Sequence, residues 1–327
     1  MSFPEQYKQR VKSINAYLMN SIEIIENKKL KAAMAHYPGA GGKRLRPLLA
    51  TIACESVGGS SRDALPYGVA LEMIHNFTLV HDDVMDEDLT RRGIKTVHAT
   101  FGIPEAILAG DALFARAFEL VPESGAHAAD VGRLSAVLAK AVRLLAEGQQ
   151  MDMDFEDLRR VRPADYMKMI DLKTAVLFAA AAQGGCIIGE GIKKQEEALT
   201  EYGRLIGLGF QIWDDVLDLV SDEKTFGKPV LNDIRNGKKT LMVIEAMEDL
   251  RGREREELLS TLGNEHATQS QLERARDILD ESGMIDHAIN VANGLIKDAK
   301  RKLVVLPDSK HRKCLEEFAD YMVTRKT

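Results

Sequence analysis

Two stretches of this sequence carry the same acidic pattern, Asp82-Asp83-Val84-Met85-Asp86 and Asp214-Asp215-Val216-Leu217-Asp218, each inside a mostly apolar run that suits a helix. On a helix the first and fifth residues of such a pattern lie one above the other and the second stands about 100° around, so each motif presents carboxylates over one turn. Like charges held that close call for a cation. Carboxylate oxygens are hard ligands suited to Mg²⁺, which keeps several waters and bridges to substrate phosphates instead of being caged by protein. The pair reads as a metal clamp on a phosphorylated ligand, whereas a single copy would read equally well as a solvated acidic face.

The opposite charge is present too. Gly41-Gly42-Lys43-Arg44-Leu45-Arg46-Pro47 sets three cations within four residues, directly after a glycine-rich turn and at an expected helix start. Lys43 and Arg46 share a helix face, and a helix N-terminus with Lys and Arg favours phosphate or pyrophosphate. The glycine and lysine spacing of a P-loop is missing, so the segment is either a diphosphate site or a solvated basic turn. Arg91-Arg92-Gly93 closely follows the first acidic motif, and further cations stand at Lys173-Thr174, Lys228 and Lys238-Lys239-Thr240. Cations beside carboxylates either neutralise them or complete a site for metal and pyrophosphate together. Lys173, between Ile170 and the apolar run Ala175 to Ala182, either snorkels or faces a polar cavity, and the cavity is favoured. Gln211 precedes Asp214 by one turn and is placed to orient a carboxylate or to meet a cationic intermediate with its carbonyl oxygen. His75 and His81 have no HExxH company, and a lone histidine is usually structural.

Helical periodicity dominates the chain and alternating Val/Ile/Thr runs are almost absent, so the expected fold class is all-α. Helices are expected over about 4–30, 43–57, 63–87, 104–121, 127–157, 163–189, 194–222, 238–250, 252–262, 268–282, 284–304 and 309–325. Turn-forming clusters at 38–42, 58–61, 225–229 and 306–308 separate them. None is a long linker, and residues 1–327 are read as one domain. The small residues Ala179 to Ala182, Gly184, Gly185, Gly203, Gly207 and Gly209 let helices approach closely and are read as packing.

Acidic residues number 50 against 44 basic, a formal net charge of -6, so a nucleic-acid partner bound through a basic surface is not expected. Cys54, Cys186 and Cys314 are widely separated and lack CxxC or Cys/His spacing, which suits a reduced cytosol and argues against disulfides or zinc. The stretch Met1 to Asn15 has no apolar signal-peptide core, and Ala175 to Ala182, followed by Gln183-Gly184-Gly185, falls short of a membrane span. A soluble, cytoplasmic protein without stable membrane insertion is expected.

Taken in order, several segments resemble the trans-isoprenyl diphosphate synthases, the polyprenyl synthetase family of head-to-tail prenyltransferases. They are GGKRLRP at 41–47, EMIHNFTLVHDDVMDED at 72–88, Arg91-Arg92-Gly93, Gly110-Asp111, EGQQMD at 147–152, Lys173-Thr174, GFQIWDDVLD at 209–218 and GKPVLNDIRNGKKT at 227–240. The likeness covers about residues 39–240 and is nearest to short-chain geranylgeranyl diphosphate synthases of the archaeal type. It implies an all-α isoprenoid-synthase bundle around a central cavity, a homodimer, and three Mg²⁺ held between the aspartate motifs. By the resemblance, Asp82, Asp86 and Asp214 are direct metal ligands, with Asp83, Asp215 and Asp218 in support. Arg91, Lys173, Lys228 and Lys238 would bind an allylic diphosphate, and Lys43, Arg46, His75 and Arg92 isopentenyl diphosphate. The carbonyls of Lys173 and Thr174 and the side chain of Gln211 would shield a carbocation.

Phe77, five residues before Asp82, stands where relatives that stop at short chains carry a bulky residue. The small Thr78 beside it and the uninterrupted first motif point to a C20 product, with C15 as runner-up. Alternatives are a farnesyl or longer-chain synthase, a class I terpene cyclase, or a non-catalytic subunit of a heteromeric synthase. A cyclase normally replaces the second aspartate motif with an Asn/Asp, Ser/Thr, Glu triad, yet Asp218 and Asp222 stand where Ser/Thr and Glu would. A non-catalytic subunit typically loses aspartates from one motif, and this chain keeps all six.

Overall fold

A computed structural model describes residues 7–91, 93–158, 160–221 and 231–325. Arg92, Lys228 and the turn at 225–229 lie outside the described residues. The fold is all-α, and its only strands among the described residues are a two-residue pair.

Contacts divide the chain into two compact units, Met1–Val142 with Leu177–Gly203 and Lys302–Phe318, and Arg143–Val176 with Arg204–Arg301 and Ala319–Thr327. The first unit opens with α1 (Lys8–Ile22), α2 (Lys28–Gly39), α3 (Leu45–Ser56) and α4 (Ser61–Met85). Strands β1 (Thr90–Arg91) and β2 (Ile94–Lys95) follow, then α5 (Val97–Phe101), α6 (Ile103–Leu120) and the start of α7 (Ala128–Asp157). Helix α4, which carries the first acidic motif, packs along α3 and α6, burying Leu71, Met73, Ile74 and Val80. Gly184 and Gly185 fall in α9 (Val176–Ile188) because nothing larger fits: a Cβ on Gly184 would meet the Tyr67 ring at 2.0 Å, and one on Gly185 the Ala50 carbonyl at 2.2 Å. The Tyr67 hydroxyl fixes this approach by donating to the Ala180 carbonyl at 3.2 Å.

The second unit takes the end of α7, then α8 (Pro163–Ile170) and a π-helical turn at Asp171–Ala175. It also holds α10 (Lys193–Val220) from Arg204 onward, with α11 (Asn232–Arg235), α12 (Leu241–Asp249), α13 (Gly252–Thr261), α14 (Gln269–Glu281) and α15 (Met284–Lys302) as far as Arg301. Helix α16 (Lys310–Met322) closes the chain. Side-chain caps start these helices where the sequence supplies them: Thr240 accepts from Val243 N–H, and Thr268 forms a reciprocal capping box with Gln271. Gly209 brings α10 against α15, since a Cβ there would meet Ile296 Cδ1 at 3.2 Å.

Four expectations need correction. The helix expected over 4–30 is two, because the Asn27 side chain accepts from Lys29 and Leu30 N–H and restarts the backbone. The new helix continues to Gly39, holding Pro38 in its last turn. A short hairpin, Thr90 paired with Lys95 and Arg91 with Ile94, turns through Gly93 at φ 76°. Finally, the apolar run does not end at Ala182: it belongs to the helix expected over 163–189, and Pro163–Ile188 is continuous over 26 residues. That run is long and apolar enough to cross a membrane, but 67% of its most apolar window is buried inside the protein, as a core helix is.

Candidate active site

Asp82 and Asp83 lie in the last turn of α4, and Asp86 caps it, its N–H donating to the Asp82 carbonyl at 2.8 Å. That unbroken turn stacks Asp82, half-buried, and Asp86, exposed, at i,i+4. Asp83 is buried. Its Oδ2 accepts from the Tyr37 hydroxyl and its Oδ1 from Arg91 Nε at 2.5 Å. Burial pushes the Asp83 carboxyl up, with Arg91 and the Tyr37 hydrogen bond opposing. The Tyr37 phenol is raised by burial and then by Asp83, so it stays protonated and donates.

The second motif, on α10, repeats the device. Asp215 is 2% exposed, and its Oδ2 accepts from the buried Tyr166 hydroxyl at 2.6 Å. Its Oδ1 accepts from Gln211 Nε2 at 2.9 Å and Lys238 Nζ at 3.3 Å. Asp214 is half-buried and takes a 2.5 Å bond from Arg325, whose guanidinium also lies 4.0 Å from the Phe210 ring centre. Asp218 is structural: its carboxylate accepts from Asp233 N–H at 3.0 Å and its carbonyl from Leu231 N–H at 3.0 Å, anchoring α11. Desolvation pushes the Asp233 carboxyl up to about 7, opposed by Lys238 and reinforced by Asp218 and Asp215. Desolvation would lower the Lys238 ammonium, but Asp215 and Asp233 outweigh it and hold it well above the usual lysine range. In both motifs, then, the second aspartate is buried and tied to a tyrosine and a cation, while the first remains partly accessible.

Lys173 and Thr174 occupy the π-helical turn, a form that recurs at functional sites. Lys173 Nζ lies 2.5 Å from Asp152 Oδ2, so the EGQQMD segment supplies its partner. Gly148, from the same segment, lets the π turn close in, because a Cβ there would meet Lys173 N at 2.4 Å. Thr174 Oγ1 donates to Gln211 Oε1 at 2.9 Å. Gln211 is therefore a carboxylate-orienting residue whose carbonyl oxygen already serves Thr174, and it reaches Asp215, not Asp214.

Of the basic turn, Lys43 is exposed and Arg46 is half-buried with its guanidinium 4.5 Å from the Phe178 ring centre. Arg44 is buried at φ 51°, donating to Glu72 at 2.8 Å, Asn15 at 2.7 Å and the Pro38 carbonyl at 2.6 Å. It holds the turn in place. His75 is half-buried on α4. Phe77 packs on His81, ring centres 4.8 Å apart, and on Phe114 at 5.5 Å. Gly110 makes room for His81, whose Nε2 a Cβ there would meet at 2.1 Å. Sequence reasoning missed Tyr37, Tyr166, Asp152, Asp233 and Arg325.

An all-helical fold with paired acidic motifs, each braced from within and flanked by cations, defines an enzyme that handles diphosphates. The profile described as Polyprenyl synthetase matches residues 27–279, and the chain belongs to that family of prenyltransferases. It is 40% identical to a geranylgeranyl diphosphate synthase of Methanosarcina mazei over 99% of this chain and 98% of that protein. Its fold superposes on the crystal structure of geranylgeranyl pyrophosphate synthetase from Pyrococcus horikoshii with a TM-score of 0.93, at 43% identity and 99% and 98% coverage. It also matches a polyprenyl synthase of Caulobacter crescentus complexed with calcium and isoprenyl diphosphate, with a TM-score of 0.90, 33% identity and 99% and 97% coverage.

Proposed function

We propose that the chain condenses isopentenyl diphosphate with an allylic diphosphate (dimethylallyl, geranyl or farnesyl) in a Mg²⁺-dependent reaction and releases geranylgeranyl diphosphate. The observation that carries this reading is the intact pair of acidic motifs. In each, the buried second aspartate is fixed by tyrosine and cation, leaving Asp82, Asp86 and Asp214 as the ligand candidates with solvent-accessible surface. That donor set fits Mg²⁺: hard oxygens, few per ion, completed by water and phosphate. Among the described residues no three His, Cys, Asp or Glu form a cage of their own. Asp82, Asp86 and Asp214 would hold three Mg²⁺ per active site, and the bound ions would neutralise charge on the departing pyrophosphate.

Arg91, Lys173, Lys228 and Lys238 bind the allylic diphosphate in this reading. The three that are described each pair with a carboxylate, Asp83, Asp152 and Asp215, which positions them for a ligand that brings its own negative charge. Lys43, Arg46, His75 and Arg92 bind isopentenyl diphosphate. As the allylic C–O bond ionises, the cations stabilise the leaving group. The isopentenyl double bond attacks the allylic carbocation, and a proton passes to the released pyrophosphate. The Lys173 and Thr174 carbonyls face the cation, and an apolar cavity excludes water that would quench it. Phe77, braced by Phe114, limits the product to C20.

The reading takes residues 1–327 as one catalytic domain, since the family match runs through both compact units. It has the enzyme working in the cytoplasm as a homodimer. Ile103, Ile107 and Leu108 form an exposed apolar stripe on α6 that suits a second copy. Incubation with Mg²⁺, isopentenyl diphosphate and labelled farnesyl diphosphate should yield a C20 diphosphate and nothing in EDTA. A cyclised hydrocarbon or no condensation would refute the proposal.

A further inference from the structure

The unit that carries the second acidic motif holds a pocket of about 940 Å³ lined, among the described residues, by none of those assigned above to the reaction. Its apolar lining includes Val161, Val243 and Ile244, all buried, together with Met247. Leu158 and Leu259 also line it, yet stay 47% and 41% exposed. Among the described residues four cations, Arg160, Lys239, Arg251 and Arg255, share the pocket with one carboxylate, Glu248. Arg160 takes that carboxylate at 2.8 Å. Arg251 donates instead to the backbone carbonyls of Glu248 at 2.6 Å and Leu250 at 2.7 Å, and Arg255 to that of Met247 at 3.5 Å. Among the described residues neither guanidinium pairs with a carboxylate. A carbonyl satisfies a donor without cancelling its charge, so a positive excess sits beside apolar surface in a chain of net charge -6.

Apolar walls alone would suit any hydrocarbon, and cations alone any anion. Both in one pocket fit an amphiphile with an anionic head and an apolar tail. Among the described residues no aromatic side chain lines the pocket to stack a nucleotide base, and the volume lies near the top of the roughly 300–1,000 Å³ range of small-molecule sites. We propose that this pocket is a second, non-catalytic site for an isoprenoid diphosphate. The diphosphate meets Arg251 and Arg255, the prenyl chain lies on Val161, Val243 and Met247, and the occupant is the enzyme's own product. The assignment of that occupant rests on the function proposed above. Lys239, in the pocket, adjoins Lys238, which pairs with Asp215 of the second motif, so an occupant that shifts this segment slows turnover without competing for substrate.

The test is equilibrium dialysis of the full chain with radiolabelled geranylgeranyl diphosphate, with Mg²⁺ and in EDTA. One molecule per chain should remain bound in EDTA, because the pocket needs no metal. The double variant Arg251→Glu/Arg255→Glu should weaken that binding at least tenfold while leaving kcat and KM at low product as in the wild type. Leu259→Asp, at an exposed position, should weaken it from the apolar side, and unfolding curves verify that both proteins are folded. Inorganic pyrophosphate and geranylgeraniol should each displace the label at least tenfold less well than geranylgeranyl diphosphate. The proposal is overturned if EDTA abolishes binding, if the charge-reversed protein binds like wild type, or if pyrophosphate or a short-chain phosphatidic acid displaces equally well. A wild-type enzyme that makes no product refutes the function; an active enzyme that loses all product binding in EDTA refutes the pocket alone.

Discussion

Replacing Tyr166 by Phe removes one oxygen from a fully buried side chain and tests whether the brace under the second motif matters. Tyr166 is 0% exposed and Asp215 2%, with 2.6 Å between hydroxyl and carboxylate. Hydrogen bonds to a charged group contribute about 1.5–3 kcal/mol, and Phe keeps the ring, so no cavity penalty is added. Asp215 Oδ2 loses its donor, while Oδ1 keeps Gln211 and Lys238. The expected loss of stability is about 2 kcal/mol, read from urea unfolding of the metal-free protein by circular dichroism. Residues that orient metal-binding groups change metal affinity or activity by about 10–100-fold. With two donors retained on Oδ1, the Mg²⁺ concentration for half-maximal activity should rise about tenfold, the low end. Tyr202→Phe is the control: Tyr202 is equally buried but donates to a neutral carbonyl, that of Leu315, at 2.6 Å. It should cost about 1 kcal/mol and leave the Mg²⁺ dependence alone. If Tyr166→Phe is no more destabilising than Tyr202→Phe and its Mg²⁺ dependence is unchanged, the brace has no functional role.

Asp82→Ala and Asp214→Ala should each lower kcat on the order of a thousandfold, since leaving-group stabilisation by metal is worth several kcal/mol; near-normal turnover in either would remove that residue from the site. Arg46→Ala should raise the KM for isopentenyl diphosphate much more than that for the allylic substrate, and the reverse would exchange the two pockets. Phe77→Ser should extend the product beyond C20 on a chromatogram, whereas an active variant with wild-type product length would show that Phe77 is not the floor. Burial pushes the Cys54 and Cys186 thiols up to about 12, leaving little thiolate at pH 8. Iodoacetamide should therefore label Cys314 alone in the native protein and all three in denaturant, as read by intact mass.

The acidic motifs were legible because the pattern occurs twice and has cations around it, and most helices followed from their period. The restart at Asn27 was hidden by helix-compatible residues on both sides of it. The π turn at 171–175 has no compositional mark, and neither do the two bracing tyrosines. Tyr37 precedes Asp83, and Tyr166 precedes Asp215, by more than forty residues, so only tertiary packing joins them. Glycines 184 and 185 were read as packing residues, but what they pack against, the Tyr67 ring and the Ala50 carbonyl, lies on other helices and was not visible in the sequence. Arg44 and Arg46 look alike in sequence, and burial against Glu72 separates the structural one from the candidate ligand.

The central claim is that both acidic motifs act on one diphosphate through metal ions while their second aspartates remain braced. A crystal structure with Mg²⁺ and a non-hydrolysable allylic thiodiphosphate measures this directly. It should show metal ions joining the diphosphate to Asp82, Asp86 and Asp214, with Asp83 still bonded to Tyr37 and Asp215 to Tyr166. A diphosphate held at one motif alone, or metal bound directly by Asp83 or Asp215 with the tyrosines displaced, would contradict it.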